Sequence, residues 1–224
     1  GCSSACRSGA VAFDSPDNQM GAATYETALL AVGGVLEAVE RVMTGELDNA
    51  FCAVRPPGHH AERSKAMGFC YFNNVAIAAR FIQQRGWAER VAIVDFDVHH
   101  GNGTQHIFEQ DSSVFYYSIH QHPSFAFPGT GRDFENGYAA GQGSTKNTTV
   151  LPGLGDEFYR SAFERDLLPA MERFQPQVVL ASTGFDAHAD DDMSDINLSS
   201  EGYVWVMRQV MGSAARWWGG KGVS

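Results

Sequence analysis

Residues 90–103 read RVAIVDFDVHHGNG, and this stretch decides the fold. An apolar run ends in two acids, then two histidines, then two glycines. It reads as a strand that delivers polar groups at its carboxyl end. The pattern recurs. QVVLASTGFD (177–186) is another strand followed by an acid, and SVFYYSIH (113–120) is a strand-like run ending in polar residues. AFCAV (50–54) reads as a short buried strand. Between these runs, residues 25–43, 73–86, 156–174 and 201–218 place apolar side chains at helical spacing, with Gly86 as a helix stop. Strands alternating with helices predict an α/β fold with a mostly parallel sheet flanked by helices. In such sheets ligands bind beyond the carboxyl ends of the strands. Runs 91–97, 113–120 and 178–186 would therefore bring their polar groups to one edge, and loop 55–72 would add a fourth contribution.

Composition sets outer bounds. The 224 residues suffice for one substantial domain, and 44% hydrophobic with 19% charged residues is ordinary for a globular protein. The net charge of −10 argues against direct nucleic-acid or anionic-membrane binding and favours a cationic substrate. No apolar run is long enough to span a membrane. The opening GCSSACRSGA lacks the apolar core of a signal peptide. Cys2, Cys6, Cys52 and Cys70 form no CxxC pair, so reduced thiols and a cytoplasmic location are expected.

Three motifs carry chemistry. In VDFDVHHGNG, Asp97 and His99 are two apart and would share one side of an extended chain, a half-site for zinc. Asp95 points the same way from farther back, as a supporting partner or cation ligand. In RPPGHHAERSKAMGFCYFNN (55–74), two prolines and a glycine fix the entry to His59 and His60. Neutral imidazoles near a metal suit general acid and base work. In LASTGFDAHADDD (180–192), Asp186 could complete a site of two carboxylates and one imidazole, with a position left open. Seven of the eight histidines fall between 59 and 122, at or near loops and strand ends. A single histidine is usually structural. Two adjacent pairs at separate strand mouths shift that balance.

The acidic tail of the third motif has other readings. From Asp190 the acids resemble a calcium-binding loop, but position 6 is Asp195 where the sharp turn needs glycine. DAHAD also resembles the ligand motif of binuclear manganese ureohydrolases. That site needs a second set of acids, where this chain has His100 and Asn102. The remaining reading is one ligand, Asp186, followed by a solvated loop.

Taken together, RPPGHHAE, MGFCYFNN, VDFDVHHGNGTQ, FPGTG and STGFDAH resemble the zinc-dependent histone deacetylase family, most of all its class II branch and bacterial histone deacetylase-like amidohydrolases. The resemblance runs from about residue 20 to the end. It implies the three-layer arginase/deacetylase fold, and one catalytic domain over 1–224 that is incomplete at both termini. It implies zinc on Asp97, His99 and Asp186. His60 would be general base and then acid, oriented by Asn102. His59 would be the electrostatic histidine, oriented by Asp95. Gly68, Phe69 and Phe127 would line a narrow tunnel with Met193 at its rim. Asp95, Ser118 and the carbonyls of Asp97, His99 and Ile119 would hold a structural potassium. His188 and Asp190 match no ligand. The implied reaction is zinc-dependent hydrolysis of an N-acetyl amide on a lysine side chain, or alternatively on an acetylated small amine such as a polyamine.

One departure stands out. Relatives place an oxyanion-stabilising tyrosine after a glycine pair, just past the last core strand. Here the chain reads RWWGGKGVS (216–224), with GVS as the start of that strand and no tyrosine after the glycines. Tyr203 lies in an expected helix and is a poor substitute. Losing one oxyanion donor costs about 10²–10³ in rate. A reading of a different class is therefore a catalytically impaired metal-binding fragment.

Overall fold

Strand β4 (Val91–Asp95) is buried along its whole length and pairs in parallel with β5 (Val114–Gln121) on one side and β7 (Val178–Ser182) on the other. Its first four residues, Val91 to Val94, are all apolar because both of its faces are covered. Ala92 and Val94 join one core, with Tyr159 and Ala162 of α5 (Asp156–Ala162), Met171 of α6 (Leu168–Phe174) and Val206 and Val210 of α7 (Ser200–Trp218). Val91 and Ile93 join the opposite core, with Val35, Val39 and Val42 of α2 (Thr24–Met43) and Ala76, Ala79 and Ile82 of α3 (Asn74–Gln84). The two-residue alternation of a strand thus yields three layers, helix–sheet–helix.

The computed structural model describes residues 1–218 and 222–223. Among the described residues the main sheet has six strands, all parallel, in the order β3-β8-β7-β4-β5-β6, where β3 is Asn49–Ala50, β6 is Thr145–Val150 and β8 is Gly222–Val223. A separate antiparallel pair, β1 (Ala12–Phe13) and β2 (Ser15–Gln19), follows the short α1 (Cys2–Arg7). Helix α4 (Asn102–Phe108) opens directly after the histidine-rich loop. No described helix is long and apolar enough to cross a membrane, and the four cysteines are free.

Several expected boundaries move. The run 50–54 is strand only at Asn49–Ala50, where it pairs with β8 at two positions, and Phe51 beyond it is 59% exposed. Strands 90–97 and 177–186 end early, at Asp95 and Ser182, so Asp97 and Asp186 stand in loops past the sheet edge. The helix expected over 156–174 is interrupted by a π-type turn at Phe163–Leu167. Pro169, which has no N–H to donate, lies just beyond it. Strand β6, TKNTTV, has no apolar run to betray it. It lies at a sheet edge, where threonines suit a half-covered strand and Lys146 suits an unpaired flank.

Candidate active site

The parallel register brings Asp95 level with Ser118 of β5 and Ser182 of β7. Strands β4 and β7 therefore end together while β5 runs on to Gln121, and the loops after β4 and β7 share one space beside it. Asp97 and His99 are not side by side on an extended strand, as their spacing suggested. They lie on a bent loop in which buried Val98 and His100 turn into the protein and Asp97 and His99 turn out. His99 Nδ1 lies 2.8 Å from Asp186 Oδ2 and 3.2 Å from Asp97 Oδ1. One ligand-type atom from each of the three residues falls within 4.8 Å of the others. Backbone N–H groups hold the carboxylates. Val98 donates to Asp186 Oδ1 at 3.0 Å, and His99 donates to Asp97 Oδ1 at 2.8 Å.

Gly184 has a part the sequence reading missed. A Cβ there would overlap Asp97 Oδ2 and stand 2.9 Å from Asp186 Oδ1. Glycine lets the chain after β7 come close enough for the two carboxylates to meet. Burial disfavours charge on His99, but its bonds to Asp186 and Asp97 outweigh this and raise its pKa to about 10. Burial together with the neighbouring charge of Asp97 raises Asp186. Two acidic oxygens and one imidazole nitrogen, open on one side, are a donor set that fits a divalent cation such as zinc.

The histidine pair stands beside this triad. His59 and His60 are 7% and 5% exposed, with ring centroids 4.0 Å apart. His59 Nδ1 lies 3.0 Å from Asp95 Oδ2, and His60 Nδ1 lies 2.8 Å from Asn102 Oδ1. The Asn102 amide is oriented because its Nδ2 donates to Glu62 Oε1 at 3.0 Å. Its oxygen therefore faces His60 and accepts the Nδ1 proton, which leaves Nε2 of His60 as the basic nitrogen. Burial opposes charge on His59, but Asp95 and Asp97 override it and lift the pKa to about 9. Burial and the charge of His59 push His60 down to about 3. The two rings are therefore pushed in opposite directions, His59 toward its charged form and His60 toward its neutral form.

Asp95 is fully buried and has a second partner that the sequence reading missed. The Tyr116 hydroxyl lies 3.1 Å from Asp95 Oδ2. Its signal was available, because Tyr116 is two residues before Ser118 on β5 and shares its face. The glycines of HHGNG are also contact points. A Cβ on Gly101 would overlap Asp95, and one on Gly103 would overlap the carbonyl of Ala61, so α4 seats directly on the histidine loop.

A cavity of about 320 Å³ opens onto these groups. Gly68, Phe69, Phe127 and Met193 line it, together with Asp17 and Pro57, which the sequence reading did not name. Phe127 stands edge-on to His60 at 5.0 Å, and Phe69, Phe127 and Met193 are partly open to solvent. Elsewhere the structure separates what the sequence grouped. His188 turns toward α7, where its Nε2 lies 3.1 Å from Ser200 Oγ, and Asp190 is exposed. Ser118 Oγ lies 2.8 Å from His120 Nδ1, close to Asp95 in the sheet. The Tyr203 hydroxyl accepts the Ala187 N–H at 3.0 Å and is 7% exposed. The glycine pair of WWGGKG, Gly219 and Gly220, lies outside the described residues.

A model of the histone deacetylase domain matches residues 2–224. The chain is 41% identical over 205 residues to a histone deacetylase-like amidohydrolase of Pseudomonas aeruginosa, covering 92% of this chain and 54% of that protein. Among solved structures, the HDA15 HD domain superposes with a TM-score of 0.86 at 39% identity, covering 95% of this chain and 61% of that one. An acetylpolyamine aminohydrolase from Burkholderia pseudomallei also superposes with a TM-score of 0.86, at 31% identity, covering 95% of this chain and 60% of that one. The chain spans about half the length of the curated relatives it matches. With a matched domain model over nearly every residue and a close superposition on a solved relative at 39% identity, the chain belongs to the histone deacetylase family.

Proposed function

We propose that this chain forms the catalytic domain of a zinc-dependent amide hydrolase acting on acetylated lysine side chains. One observation carries the reading. The triad Asp97, His99 and Asp186 and the neutral ring of His60 line the same cavity. Asp97, His99 and Asp186 would hold zinc, which would supply Lewis acidity toward the amide carbonyl and lower the pKa of water toward about 7. The protein's own groups do the rest. Nε2 of His60 takes a proton from the attacking water while Nδ1 keeps its own on Asn102. His59 keeps its charge on Asp95 and stabilises developing negative charge. His60 then protonates the departing amine. The products are acetate and a free amine. Phe69 and Phe127 confine the alkyl chain, Gly68 leaves room for the His60 ring, and Met193 covers the rim. Potassium held by Asp95, Ser118 and the carbonyls of Asp97, His99 and Ile119 would brace the strand ends. The four free cysteines and the net charge of −10 fit a cytoplasmic enzyme without direct nucleic-acid or membrane contact.

A second reading, hydrolysis of an acetylated small amine, draws on the likeness to an acetylpolyamine aminohydrolase. The FPGTG loop (127–131) favours the lysine reading. The test is zinc content together with hydrolysis of a fluorogenic acetyl-lysine peptide and of an acetylated diamine, in this chain and in a version extended past Ser224. Zinc with peptide turnover in the extended chain supports the proposal. Zinc without turnover of either substrate favours the impaired metal-binding fragment.

A further inference from the structure

The tunnel wall at Phe69 is held from outside the main sheet. Residues Met67–Cys70 form a tight turn in which the Cys70 N–H donates to the Met67 carbonyl at 2.9 Å. Both central residues have positive φ, 57° at Gly68 and 64° at Phe69. Gly68 suits this place twice over, because a Cβ there would also overlap the His60 ring. Phe69 has a Cβ and a bulky ring, and the left-handed region is unfavourable for it. Something must hold it there.

The β1–β2 hairpin does so with three side chains. Asp14 Oδ2 accepts the Ala66 N–H at 2.8 Å, and Asp17 Oδ2 accepts the Gly68 N–H at 2.6 Å. Asn18 grips the turn at two points. Its Oδ1 accepts the Phe69 N–H at 2.7 Å, and its Nδ2 donates to the Cys70 carbonyl at 2.9 Å. Asn18 is fully buried, whereas the two aspartates are not. Only a side chain with a donor and an acceptor at its tip can satisfy an N–H and a C=O together, so aspartate could not replace it without losing one bond.

We propose that Asn18 is a positioning residue that fixes Phe69 as a wall of the tunnel and so tightens binding of the substrate's alkyl chain. This rests on the amide-hydrolase reading for its functional half, while the clamp itself is a structural statement. The chemistry at His60 and the metal triad does not require the clamp. Loosening it should act on binding of a long-chain substrate before it acts on turnover.

The test compares wild type, Asn18→Ala and Asn18→Asp as zinc-loaded full chains. Amide exchange across residues 66–70 should rise about tenfold in Asn18→Ala, with β4 and β5 amides unchanged. Asn18→Asp, which keeps the acceptor for Phe69, should fall between. Hydrolysis of an acetyl-lysine peptide should weaken about tenfold in kcat/KM, mostly through KM. Cleavage of p-nitrophenyl acetate, which has no alkyl chain to fill the tunnel, should keep its wild-type rate. Unchanged exchange at 66–70 overturns the clamp. An equal loss for both substrates overturns the positioning role. Should Asn18→Ala fail to fold, Asn18→Asp decides by the same two readouts. Should wild type hydrolyse neither substrate even in the version extended past Ser224, the amide-hydrolase reading falls while the exchange result still judges the clamp.

Discussion

The chain contains the same three-residue pattern twice, Asp97-Val98-His99 and Asp186-Ala187-His188, and treats the two differently. In the first, the imidazole turns back onto both carboxylates and is 15% exposed. In the second, only the aspartate joins the site. Residues 187–189 are drawn into strand-like pairing with Leu198, where the Leu198 N–H donates to the Ala187 carbonyl and the Ala189 N–H to the Leu198 carbonyl, both at 3.0 Å. That pairing carries His188 to α7, where its ring stacks on Tyr203. Identical spacing gives different chemistry because the neighbouring segment decides which way the chain leaves the sheet edge.

The contrast can be broken most forcefully at the proposed metal site, the Asp97, His99 and Asp186 cluster. His99→Ala or Asp186→Ala should weaken zinc binding on the order of 10³-fold, by isothermal titration, because each removes a ligand. His188→Ala should leave zinc affinity unchanged, and an equal loss there would erase the distinction between the two patterns. His60→Ala should lower turnover of an acetyl-lysine peptide by about 10²–10⁴-fold while zinc stays bound. Normal turnover would remove His60 from the mechanism. Gly184→Ala should force apart the carboxylates that join the two patterns and cost about 10–100-fold in zinc affinity. An unchanged affinity would show that the close approach is dispensable. The smallest effect should be on stability. His188→Ala gives up a hydrogen bond to Ser200 and a ring stack, worth about 1 kcal/mol in a denaturant titration, and no change would mean that α7 does not need this anchor.

Much of the fold was legible because β4, β5 and β7 are central strands of a parallel sheet. Burial on both faces writes itself as an unbroken apolar run. Strand β6 was silent for the opposite reason, since an edge strand built on threonine and asparagine carries no such run. The β1–β2 hairpin was silent as well, because its polar residues are there to bind the 66–70 turn. Within the site, the acids and histidines announced themselves by type. Tyr116 and Gly184 did not, since a buried tyrosine in an apolar strand looks like core and a glycine after a strand looks like a turn. The Asn18 grip joins residues about fifty apart, and nothing local marks it.

The sequence by itself determined the alternation of strands and helices, the edge where polar groups collect, and the residue types able to bind a metal and move a proton. These follow from local periodicity and side-chain chemistry. The tertiary structure alone decided where each strand stops, in which of two equal Asp-x-His patterns the imidazole closes on both carboxylates, and which ring of the histidine pair faces a carboxylate and which an amide. Those outcomes depend on contacts between distant segments: Asp186 against His99, Asp95 against His59, and Leu198 against residues 187–189. Burial and through-space charge have no fixed sequence spacing, so only the folded chain sets them.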